Sequence, residues 1–122
     1  MGKTGNKNRK TGSFWEGQAA EFLQNKGYEI LHRNFTSRWG EIDLVARQGD
    51  YLVFVEVKYR KDSSGGHPLE AVDGFKQRRI FQTAKYYCLR FGYGENTPCR
   101  FDVIGILGTE VIHVENAFLV WN

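Results

Sequence analysis

The sequence predicts a mixed α/β fold of the α+β kind, in the order αβββαββ, with one mixed sheet flanked by two helices. Three features predict it: an apolar stripe at helical spacing over residues 16–23, three β-rich runs over residues 28–59, and a second helical stretch followed by two further β-rich runs. A length of 122 residues suits one domain. A hydrophobic fraction of 41% with nine Phe, six Tyr and three Trp supplies a core, and a mean hydropathy of −0.50 argues against a membrane protein.

The elements follow in order. Residues 1–12, rich in Gly, Lys, Asn and Thr, have no apolar period and read as a disordered basic arm. From Ser13, residues Glu16, Ala19, Ala20 and Leu23 fall at i, i+3, i+4 and i+7, so Glu16 lies in line with a buried helical stripe, and Gly27 ends that helix. Tyr28 to Phe35, Gly40 to Ala46 and Tyr51 to Tyr59 are the three β-rich runs, the first two separated by Thr36-Ser37-Arg38. Gly65-Gly66-His67-Pro68 marks a loop. Asp73 then caps a helix whose apolar face carries Ile80, Ala84, Tyr87, Cys88 and Phe91. After a loop over residues 92–99, Phe101 to Leu107 and Val111 to Val114 form the last two strands.

Charge is uneven. Lys3, Lys7, Arg9 and Lys10 stand in residues 1–12 without an acid, so the net charge of +3 is a basic arm on a slightly acidic body. Such an arm attracts phosphate by counterion release, or only solubilises the terminus. Two cysteines, Cys88 and Cys99, make neither a disulfide framework nor a zinc site and read as free thiols in a reducing cytoplasm. No apolar signal core follows the basic start, and Asn6 stands where a myristoylation motif needs Ser or Thr, so the expectation is a cytoplasmic protein without a membrane anchor.

The chemistry concentrates around Gly49-Asp50. A two-residue hairpin loop of the II′ kind there puts Gln48 opposite Tyr51, which in turn puts Asp43 opposite Glu56 and Glu41 opposite Lys58. Strand side chains alternate, so these four share one face, while Ile42, Leu44, Val55 and Val57 are expected on the other. Two opposed carboxylates repel unless a cation or proton lies between them. Mg²⁺ takes oxygen ligands, often one or two carboxylates plus a substrate phosphate, which Asp43 and Glu56 supply. Phosphodiester hydrolysis needs an activated water and positive charge near the phosphate, and Lys58 stands on the same face to provide the latter.

Asp43 followed by Glu56-Val57-Lys58 resembles the Asp…Glu-x-Lys signature of the PD-(D/E)XK nuclease superfamily. Glu16, Gly27-Tyr28, Asn34, Gly40-Glu41-Ile42-Asp43-Leu44, Phe54-Val55-Glu56-Val57-Lys58, Arg60, Lys76, Arg100-Phe101-Asp102-Val103 and Ala117-Phe118 resemble the uncharacterised bacterial YraN-like family. The resemblance implies a restriction-endonuclease-like core similar to archaeal Holliday junction resolvases, with residues 13–122 as one nuclease-like domain. It further implies Glu16, Asp43, Glu56 and Lys58 as catalytic residues, with Mg²⁺ or Mn²⁺ on Asp43 and Glu56. A resolvase makes two symmetric cuts, which a homodimer would suit.

Each residue also has a plainer reading. Ser13-Phe14-Trp15-Glu16 is a capping box, in which Glu16 would only cap its own helix. Glu41 is either part of the cluster or a salt-bridge partner for Lys58. Arg60 and Lys76, with Lys61, Arg78 and Arg79, form either a phosphate-gripping rim or a solvated face. Asp102, between Phe101 and Val103, reads as structural, as do His32, His67 and His113, which lack metal-ligand spacing. Three functions are therefore weighed: a metal-dependent endonuclease acting on DNA, branched or otherwise structured; a nucleic-acid-binding module without turnover; and a partner-binding protein.

Overall fold

The computed structural model describes residues 3–67 and 73–118, with side chains from Phe14 onward. Pro68, residues 119–122 and the side chains of the basic arm lie outside the described residues. The elements are α1 (Lys3–Asn25), β1 (Glu29–Ser37), β2 (Gly40–Gln48), β3 (Tyr51–Arg60), a short 3-10 turn (Ser63–Gly65), α2 (Gly74–Arg90), β4 (Cys99–Leu107) and β5 (Glu110–Val114). This is the αβββαββ order that the sequence predicts. The five strands form one sheet in the order β1-β2-β3-β4-β5, with β3 and β4 parallel and every other pair antiparallel. The sheet is thus mixed, as a restriction-endonuclease-like core requires.

Each helix covers one face. Ala19, Ala20 and Leu23 of α1 pack with Leu44, Ala46, Val53, Val55, Ile104 and Ile106. Ile80, Ala84 and Tyr87 of α2 pack with Phe35, Val45, Phe54, Phe101 and Val103 on the other side. Leu52 to Glu56 of β3 are all buried, because a central strand between two helical layers has no solvated face. Among the described residues, no helix is long and apolar enough to cross a membrane.

The helix ends are set locally. Gly27, at φ +93°, closes α1, with the Gly27 amide donating to the Gln24 carbonyl and the Tyr28 amide to the Leu23 carbonyl. That bond pair is a Schellman cap, and Tyr28 and Leu23 complete it by sharing the α1-side core. Asp73 caps α2 by accepting from the Lys76 amide at 2.9 Å, as expected. The start of α1 differs from expectation: the helix runs through Ser13, so Ser13 is not an N-cap and the capping-box role of Glu16 does not arise. Trp15, one residue before Glu16, stacks on Tyr59 of β3 with ring centroids 3.8 Å apart and docks this part of α1 beside the end of β3.

Candidate functional site

The hairpin register is the one the turn chemistry predicts. Gly49 takes φ +59° and Asp50 does not share a positive φ, which is the II′ pattern, and the ladder runs from Gln48↔Tyr51 to Leu44↔Val55. There it stops. β2 continues against β1 as far as Gly40↔Ser37, and β3 continues against β4 as far as Arg60↔Leu107, so the two central strands part at Asp43 and Glu56.

The split reshapes the cluster. Asp43 Oδ2 accepts from the Val57 amide at 2.7 Å, so its carboxylate takes the place of a missing ladder partner between the strands. Across the β1 side, Asn34 has φ +56°, and no Asn34↔Asp43 pair interrupts the run from Arg33↔Leu44 to Phe35↔Ile42. Strand alternation breaks at this step: Leu44 faces α1, whereas Ile42 joins Val45 in the α2-side core. The expectation that Ile42 points with Leu44, Val55 and Val57 is corrected here. A left-handed asparagine and an unpaired aspartate interrupt the pleat that the alternation rule assumes.

Glu56 is 6% exposed, and its Oε2 lies 2.6 Å from Lys76 Nζ and 3.3 Å from Lys58 Nζ. Lys58 therefore pairs with Glu56 and not with Glu41, which is a second correction, since Glu41 lies beyond the end of the β2-β3 ladder and is exposed. Asp43, Glu56, Lys58, Lys76, Glu41 and Arg79 line one cavity of about 280 Å³. Asp43 and Glu56 thus converge on the same side of the sheet. Glu16 approaches Asp43 and Asn34 from α1, and its Oε1 is buried without a hydrogen-bond partner. Arg60 is exposed at the end of β3 and is not among the residues lining the cavity.

The electrostatics follow from this crowding. Burial, then the charge of Glu56, pushes the Asp43 carboxyl up to about 9. Burial also raises Glu16, with Glu41 adding to the effect, while Asn34, Asp43 and Arg33 oppose it. The Lys58 amine is held below its ordinary value by burial and by the neighbouring Lys76, with Glu56 opposing. Burial by itself would lower Lys76, but Glu56, with Lys58 and Asp43, raises it overall. Asp43 and Glu56, two adjoining acids, are the residues that could hold a divalent cation between them. Among the described residues no three His, Cys, Asp or Glu side chains are placed to hold a metal ion together. Lys76 and Lys58 provide the positive charge at Glu56.

Sequence reasoning underweighted two residues. Arg79 lines the cavity although it reads as one of several cations on a helix surface. Asn34 sets the break in alternation, and its signal is an asparagine within a β-rich run, since Asn disfavours strands and tolerates left-handed φ. Asp102 is structural, as expected. It is buried and accepts from Arg100 at 2.9 Å, from His113 at 2.7 Å and from the Asn116 amide at 2.9 Å.

Comparison of the sequence with known proteins finds relatives in bacteria. The profile of Uncharacterised protein family UPF0102 matches residues 15–106. A UPF0102 protein of Lachnoclostridium phytofermentans is 54% identical over 103 residues, covering 84% of this chain and 87% of the relative. One from Chromohalobacter salexigens is 43% identical over 109 residues, covering 89% and 87%. UPF0102 protein YraN of Escherichia coli is 40% identical over 111 residues, covering 90% and 85%.

Proposed function

Because the chain belongs to Uncharacterised protein family UPF0102, whose name assigns no activity, we propose its function from its own site: a Mg²⁺- or Mn²⁺-dependent endonuclease that hydrolyses phosphodiester bonds in DNA. The observation that carries this reading is the meeting of Asp43 and Glu56 with Lys58 in one cavity where β2 and β3 part. Asp43 and Glu56 would hold the ion, and Glu16 would add negative charge from α1. A bound divalent cation would supply electrophilic charge at the phosphate and acidify a nearby water. Lys58 orients the attacking water and offsets charge developing on the phosphate oxygens. The water oxygen bonds to phosphorus, the bond to the leaving sugar oxygen breaks, and a phosphomonoester and a hydroxyl result. Lys76 and Arg79 grip the flanking phosphates, and Arg60 lies further out along the same strand.

A second reading is a nucleic-acid-binding module without turnover. The 2.6 Å contact of Lys76 with Glu56 favours it, since an ammonium already neutralises one of the two proposed ligands. The test is incubation of the purified protein with linear duplex, single-stranded and four-way-junction DNA, with and without Mn²⁺. Metal-dependent cleavage that disappears in Asp43→Asn and Lys58→Ala supports the enzyme, and binding without cleavage supports the module. Paired cuts in a branched substrate would call for two copies, which gel filtration with DNA reads directly. The free thiols of Cys88 and Cys99 suit a cytoplasmic setting.

A further inference from the structure

Beside the cavity lies a row of rings and guanidinium groups outside both buried clusters, touching the α2-side core only where Tyr86 stands 6.0 Å from Phe35. Phe75 is 62% exposed on the first turn of α2, and the Arg79 guanidinium lies 5.7 Å from its ring centroid. Tyr86, further along the same helix, is also exposed and stands 6.0 Å from the Trp39 ring. Trp39 belongs to the β1-β2 turn, with the Arg38 guanidinium 5.1 Å from its ring. Two contacts join the row to the cavity: Arg79 lines it, and a methyl group placed on Gly40 would stand 3.7 Å from Arg79 Nε. From Phe75 to Tyr86 the row follows α2 for about 16 Å, at the rise of an α-helix.

This combination selects a ligand chemistry. Exposed aromatic faces offer stacking area, and guanidinium groups beside them attract phosphate and stack as planar cations. A duplex hides its base faces within its own stack, so such rings match bases that are already unpaired. An acidic peptide would satisfy the cations but leave the rings unmatched. We infer that Arg38, Trp39, Phe75, Arg79 and Tyr86 form a stacking platform for an unpaired nucleic-acid strand that leads into the cavity. The inference rests on the nuclease reading for its direction and narrows the substrate to DNA with a single-stranded gap, flap or branch. Unpaired RNA shares the recognised chemistry and is told apart by the cleavage test.

The test is fluorescence anisotropy of the full-length protein in EDTA, so that cleavage plays no part. The probes are labelled oligothymidine, an abasic strand of equal length, a duplex and oligouridine. Oligothymidine should bind more tightly than the abasic strand by roughly fivefold or more, which corresponds to stacking at least one base. Trp39→Ala and Phe75→Ala should remove that difference and leave abasic binding unchanged, while Trp39→Phe keeps it. Arg79→Ala should weaken both. Equal affinity for oligothymidine and the abasic strand overturns the proposal, as does a ring-independent preference in folded variants or equal competition by polyglutamate. With Mn²⁺, cleavage of a duplex bearing an oligothymidine flap but not of one bearing an oligouridine flap assigns the platform to DNA; cleavage of both, or of the oligouridine flap alone, overturns that narrowing. The platform and nuclease readings fail separately: base-dependent binding without cleavage under Mn²⁺ removes only the enzyme, and cleavage indifferent to Trp39 and Phe75 removes only the platform.

Discussion

Replacing Lys76 by Met keeps the aliphatic stem and deletes the ammonium that lies 2.6 Å from Glu56 Oε2. Glu56 is 6% exposed and has Asp43 beside it, so the variant leaves two adjoining acids with Lys58 alone, 3.3 Å away, as a counter-charge. Breaking a fully buried ion pair costs about 3–5 kcal/mol, but the Lys76 side chain is 36% exposed, and solvent screening cuts the expected loss to about 1–2 kcal/mol. In a domain of this size that lowers the melting temperature by about 4–12 °C in EDTA. A divalent cation held by Asp43 and Glu56 no longer has an ammonium to displace, so the variant should bind Mn²⁺ about tenfold more tightly, the factor that 1.4 kcal/mol represents. Thermal melts across a Mn²⁺ titration read both effects, because ligand binding to the native state raises the midpoint with concentration. A Lys76→Met protein that melts with the wild type and follows the same Mn²⁺ curve refutes the idea that Lys76 holds the place of an ion. So does one that is destabilised but gains nothing from Mn²⁺.

Asp43→Asn should raise the melting temperature in EDTA, because a neutral amide can still accept from the Val57 amide and folding no longer has to protonate a carboxyl pushed up to about 9 by burial and by Glu56; the same change should lower Mn²⁺-dependent cleavage by about 100-fold or more. Lys58→Ala should reduce cleavage by roughly the same factor and leave Mn²⁺ affinity within about threefold, measured by calorimetry beside a cleavage time course. Glu16→Gln should leave stability within about 0.5 kcal/mol in urea titration, since α1 runs past Ser13 and no cap is lost, while cleavage falls. Asp102→Asn should cost about 3 kcal/mol, because it leaves Arg100 and His113 facing a neutral group in a buried network. Burial alone would raise the Asp102 carboxyl, but His113, Arg100 and the Asn116 amide together hold it below its ordinary value. Its contribution is therefore complete above about pH 4 and fades as pH falls through the lower folded value, so the variant's urea midpoint should lose that part of the acid dependence.

Much of this fold is legible in short stretches of chain. Gly49-Asp50 dictates a II′ turn, and the turn dictates the register from Tyr51 to Val55 without help from the rest of the molecule. Gly27 and Asp73 end and begin their helices through bonds to residues within five positions. The spacing of Ala19, Ala20 and Leu23 identifies the buried face of α1 because helical periodicity is a local property. Asp43, Glu56 and Lys58 are recognisable for the same reason: one hairpin carries all three.

The arrangement of the site required the whole sheet. Beyond Leu44 and Val55, β2 stays paired with β1 and β3 with β4, while the edges that β2 and β3 turn towards each other come apart. That parting sends Asp43 to the Val57 amide, separates Glu41 from Lys58 and leaves room for Lys76 to reach Glu56 from α2. The row from Phe75 to Tyr86 and its meeting with Trp39 depend likewise on where α2 packs. Local backbone chemistry dictates turns, caps and faces, while the meeting of distant side chains is settled by where the ladders end and where the helices pack on the sheet.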